Sequence, residues 1–66
     1  MIGRIEKKDN VHNDGYIKGF DEIYYYFASE ESFEKDDLVE FDYSLPTSEN
    51  ELPVANNIKK IKKTNL

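Results

Sequence analysis

Alternation at period two, in short runs broken by turn-forming residues, dominates this 66-residue chain. No stretch carries the apolar stripe of a helix long enough to cover a sheet. The opening MIGRIEKK has Ile2 and Ile5 among polar residues and reads as a first strand with a kink or bulge near Gly3. DNVHND is a polar loop rich in turn-favouring Asn and Asp. GYIKGF reads as a second strand, GFDE as a short turn, and EIYYYFA as a third strand. SEESFEKDD is an acidic connection with room for one helical turn, capped by Ser29 or Ser32. LVEFDY is a fourth strand with Val39, Phe41 and Tyr43 on one face, SLPTSEN a loop marked by Pro46, and ELPVANNIKKI the last strand. Five strands without a helix predict an all-β, antiparallel small barrel, of OB type or of the competing SH3-like type. Closure also removes edges that so short a chain cannot cover. The expected barrel is one domain over residues 1–61, with 62–66 a short disordered tail.

A chain of this size hides only about 60% of the surface its unfolded form exposes, so its stability is marginal. It contains no cysteine, which removes disulfides, zinc knuckles and thiol nucleophiles from consideration. It starts at Met1 without a signal-peptide pattern and has no apolar run long enough to span a bilayer. The expectation is a soluble cytoplasmic protein. The net charge of −5 is unevenly spread. Residues 1–29 are near neutral, residues 30–51 carry nine acids against Lys35 alone, and the remainder carries four lysines. A protein that holds nucleic acid mainly through its phosphates is basic. This chain is not, so any affinity for nucleic acid has to come largely from another source.

The run EIYYYF (22–27) offers that source. Successive side chains on a strand point to opposite faces. Ile23, Tyr25 and Phe27 share one parity, with Ile23 marking it as the core side, and Tyr24 and Tyr26 share the other. On the second strand Ile17 faces inward and Tyr16 outward by the same reasoning.

Five stretches carry a resemblance to the bacterial cold-shock domain. His12-Asn13-Asp14-Gly15-Tyr16-Ile17 resembles the family's strand-two motif K-G-[FY]-G-[FY]-I, and Glu22-Ile23-Tyr24-Tyr25-Tyr26-Phe27 its strand-three motif D-V-F-[VF]-H-F. GRIEKK is similar to the family's opening G-K-V-K-W-F, VEFD (39–42) to its V-x-F-E strand, and PVANNIKKI (53–61) to its P-Q-A-A-N-V ending. The resemblance covers nearly the whole chain in order, with no gap from Gly3 to Ile17. Five departures qualify it. Lys7-Lys8 stand for a Trp-Phe pair, Asp14 for an aromatic, and Tyr26 for a histidine. The connection between strands three and four is shorter and lacks an exposed aromatic, and Phe33 matches an inward leucine.

The resemblance implies an OB-type barrel in which strands two and three are neighbours, so that Tyr16, Tyr24 and Tyr26 form one exposed cluster. Exposed rings suit unpaired bases, each of which has a flat π face, and stacking is worth roughly 1–3 kcal/mol per base. The candidate nucleic-acid-binding set is Tyr16, Tyr24, Tyr26 and Phe27 with Lys7, Lys8, Lys18 and His12. Its expected activity is weak, salt-sensitive, low-specificity binding of single-stranded RNA or DNA, in the manner of an RNA chaperone. The runner-up is a protein-interaction module whose acidic segment 30–51 docks on a transcription or translation component. Sheet surfaces favour tyrosines without any ligand, and exposed lysines are ordinarily a solvated face. Asp9, His12 and Asp14 lack a metal-loop pattern, and His12 has no serine or cysteine partner at a recognisable spacing. The expectation is therefore a monomer or weak dimer with no enzymatic activity, metal or cofactor.

Overall fold

The computed structural model describes residues 1–61; the tail expected over 62–66 lies outside the described residues. Five strands, β1 (Ile2–Asp9), β2 (Asp14–Gly19), β3 (Tyr24–Ala28), β4 (Leu38–Ser44) and β5 (Val54–Lys60), close into a barrel in the order β1-β2-β3-β5-β4. Neighbours run antiparallel except β3 and β5, which are parallel. The architecture is the OB-type five-stranded barrel, and the SH3-like alternative is set aside. No helix among the described residues is long and apolar enough to cross a membrane.

The core follows the alternation. Tyr25 and Phe27 from β3, Val39 and Phe41 from β4, Ile5 from β1, Ile17 from β2 and Ala55 from β5 are all buried. On the inner side of β1 and β2, Gly3 sits opposite Gly19. A Cβ at Gly3 would lie 2.7 Å from Ile17 Cγ2 and 2.8 Å from the Lys18 carbonyl, so only glycine allows this close approach.

Three local expectations are corrected. The irregularity expected near Gly3 lies further on, between Ile5 and Lys7, where the pairing jumps from Ile5–Ile17 to Lys7–Tyr16. The extra residue resets the alternation and puts Lys7 on the outer face with Arg4. The acidic connection forms no helical turn. Its Asp36 amide donates to the Ile5 carbonyl at 2.8 Å, and the Ile5 amide donates to the Asp37 carbonyl at 2.9 Å. Two of its backbone hydrogen bonds thus tie it to Ile5 of β1, and within the segment the Asp37 amide donates to the Glu34 carbonyl at 3.1 Å in a single turn. Phe33 anchors it, buried edge-on against Phe27 at 5.8 Å between ring centroids, while Ser29 Oγ merely accepts from the Glu31 amide.

Ile23, expected in the core, is 48% exposed. The β2–β3 turn passes through Glu22 at φ 68° and β3 begins only at Tyr24, so the inward parity does not extend back to residue 23. Tyr43 does follow Val39 and Phe41, but at the barrel's end: its ring sits 5.3 Å from that of Tyr25 and remains partly exposed.

Candidate nucleic-acid interface

The outer face of β1–β2–β3 is built in three cross-strand rows. Arg4, Lys18 and Tyr24 form the first, Lys7, Tyr16 and Tyr26 the second, and Asp9, Asp14 and Ala28 the third. Val54 of β5 extends the second row beyond Tyr26. Along the strand direction the surface therefore passes from cation to aromatic ring to carboxylate. Tyr16 and Tyr24 are 39% and 41% exposed, and Tyr26 is half-buried.

Packing holds the rings in place. Tyr16 and Tyr26 meet edge-on with centroids 6.0 Å apart, a favourable geometry for their quadrupoles. Lys18 Nζ lies 5.7 Å from the Tyr24 ring centre, within cation–π range. The Tyr26 hydroxyl donates to Asp14 Oδ2 at 3.1 Å. That hydrogen bond is the first cause of the raised Tyr26 pKa, followed by burial. Because Asp14 stabilises the neutral phenol, the hydroxyl stays protonated.

Three members of the expected set lie elsewhere. Phe27 is 0% exposed and packs in the core, so it has no face to offer a base; its place in the binding set is withdrawn. The cause is the strand's own alternation, which turns residue 27 inward with Tyr25. Lys8 points toward the β1–β2 loop, where Nζ donates to Asn10 Oδ1 at 3.1 Å. His12 sits in the same loop with Nδ1 2.7 Å from Asp9 Oδ2. Asp9 Oδ1 accepts the Val11 and His12 amides as well. Led by the His12 hydrogen bond, these contacts hold the Asp9 carboxyl down at about 2, and the same bond raises His12. The pair is a loop-closing contact.

Two neighbours of the face escaped the sequence reading. Arg4 opposes Lys18 on the outer side, which its parity with inward Ile5 could have revealed. Phe20 is well exposed in the β2–β3 turn and lines an open cleft of mixed charge, with Arg4, Lys18 and Lys35 beside Glu6, Glu22 and Asp36. Its signal was hidden because GYIKGF reads as one uninterrupted strand.

No family model matches the chain, and no curated protein and no solved structure matches it either.

Proposed function

We propose that the protein binds single-stranded RNA or DNA by stacking unpaired bases on Tyr16, Tyr24 and Tyr26, without catalysis, in the manner of an RNA chaperone. The observation that carries this reading is the shared outer face of β2 and β3, where these rings stand in register with Lys7, Lys18 and Arg4. Stacking at about 1–3 kcal/mol per base provides a gross gain of roughly 3–9 kcal/mol before ordering is subtracted. The affinity expected from that balance is micromolar or weaker. Lys7, Lys18 and Arg4 add phosphate contacts, and Asp14 opposes them at one edge, so binding is expected to weaken with salt, with a slope of log affinity against log salt of about −2 at most.

The test is titration of fluorescent oligo-dT or oligo-U at low salt, followed by tyrosine emission. Saturable quenching is expected, and Tyr24→Ala should weaken affinity by about 1–3 kcal/mol. No saturation at high micromolar protein would sink the reading. The cold-shock resemblance enters here only as support, through the order of its motifs along the chain.

A second reading is favoured by one specific feature: Glu30, Glu31 and Glu34 are exposed in the connection between β3 and β4. In it the acidic side of the barrel docks on a basic protein partner. A partner recovered by the parent chain and lost on the triple substitution Glu30→Gln, Glu31→Gln and Glu34→Gln would support it. Retention by that variant would reject it.

A further inference from the structure

Every second residue of β2 reaches the outer face, in the order Asp14, Tyr16, Lys18. A nucleotide stacked on the Tyr16–Tyr26 pair therefore meets opposite charges at its two ends. Lys18 with Arg4 lies on one side of the rings and Asp14 on the other. Phosphate is drawn to the cationic side and repelled by the carboxylate. The base edge is left facing Asp14.

Asp14 is suited to reading that edge. Its neighbour across the strand pair, Asp9, is committed to His12 and to two loop amides. Asp14 instead has its Oδ2 tied to the Tyr26 hydroxyl at 3.1 Å. This bond fixes the carboxylate beside the rings while using one of roughly four acceptor sites that an ionised carboxylate offers. An ionised carboxylate only accepts hydrogen bonds. Guanine presents two adjacent donors, N1–H and the N2 amino group, which match its two oxygens. Thymine and uracil present a single N3–H between two carbonyl oxygens, which the carboxylate repels. Adenine and cytosine present one amino donor beside a ring acceptor.

We propose that Asp14 is a specificity-determining residue that favours guanine over thymine or uracil at the Tyr16–Tyr26 position. The inference rests on the single-strand-binding reading and replaces its expected indifference to sequence with a preference at one position. It requires no change in the barrel, since the carboxylate is already held in place.

The test compares two labelled heptamers at low salt, one all thymine and one with a single central guanine, which is too short and guanine-poor to fold on itself. The parent chain is expected to bind the guanine heptamer roughly 5- to 150-fold more tightly, the range of one good bidentate base contact. Asp14→Asn should abolish that preference while binding the all-thymine heptamer at least as well as the parent, because a repelling charge is gone. A residue that merely tethered Tyr26 would instead weaken both heptamers together. Equal affinity of the parent for the two heptamers overturns the inference without recourse to any variant, as does a preference that survives in Asp14→Asn. If both heptamers bind equally and Tyr24→Ala weakens both, the tyrosine platform stands and the role of Asp14 alone falls. If neither heptamer binds, both fall.

Discussion

Tyr25 and Tyr26 are adjacent on β3, and each donates its hydroxyl to an aspartate, at 2.7 Å to Asp21 and 3.1 Å to Asp14. Their surroundings are opposite. The Tyr25 ring is buried, edge-on to Phe41 at 5.0 Å and to Tyr43 at 5.3 Å. Burial first, and the Asp21 hydrogen bond second, push its hydroxyl up to about 12. The Tyr26 ring is half-buried on the outer face, and there the hydrogen bond outweighs burial in raising its pKa. Two chemically identical side chains thus serve different ends. The inner ring has already exchanged water for protein neighbours during folding. The outer face keeps apolar area that a ligand can still cover.

Substitutions on the two faces should separate stability from binding. The largest effect belongs to Phe27→Ala, which opens a cavity in the core and should cost about 3–5 kcal/mol. That is a large share of what a small domain has, so the circular-dichroism melt should show a chain largely unfolded at room temperature. Tyr25→Phe keeps the ring and removes the buried hydroxyl, and should lower stability by about 1–2 kcal/mol.

Its pH signature follows from the two pKa shifts. The raised Tyr25 pKa stabilises the fold in full below the ordinary tyrosine value of 10.0, and this contribution is lost as pH rises through about 12. The Asp21 carboxyl is held below its ordinary 3.8 chiefly by the Tyr25 hydrogen bond. Its contribution is present above that value and is lost as pH falls through the lowered one. Thermal melts across pH should show both limbs in the parent, whereas Tyr25→Phe should lose the Tyr25 contribution and keep only the part of the acid limb that the Ile23 amide sustains at Asp21. A parent curve indifferent to alkali would break the contrast between the faces.

On the outer face, Tyr24→Ala should move the unfolding free energy by less than about 1 kcal/mol, in contrast to the larger loss of oligonucleotide affinity proposed for it. The smallest change is expected for Arg4→Ala: an unaltered melt, with the slope of log affinity against log salt reduced by about one.

The strands were legible because tight alternation leaves little choice of face, as with Val39 and Phe41 or Ile17 and Tyr16. The outward placing of Tyr16 and Tyr24 came from that same rule. What it missed had causes beyond local pattern. Ile23 lies before the strand begins, and a positive φ at Glu22 breaks the phase. The bulge after Ile5 depends on how β1 pairs with β2, which no run of residues displays. The acidic connection has helix-compatible residues, but Asp36 and Asp37 tie its backbone to Ile5 of β1. The contact of His12 with Asp9 was equally hidden, because it depends on how the β1–β2 loop folds.

Tyr26 has a second duty in its main chain. Its amide donates to the Pro53 carbonyl at 2.9 Å, and it faces Val54 where β3 and β5 run parallel. The residue proposed to offer a ring to a base is therefore also a stitch in the barrel's parallel seam. A guest resting on that ring restrains the stitch, so occupancy should be legible from inside the protein as slower exchange of the Tyr26 amide proton. Loading the outer wall would tighten the closure of the barrel.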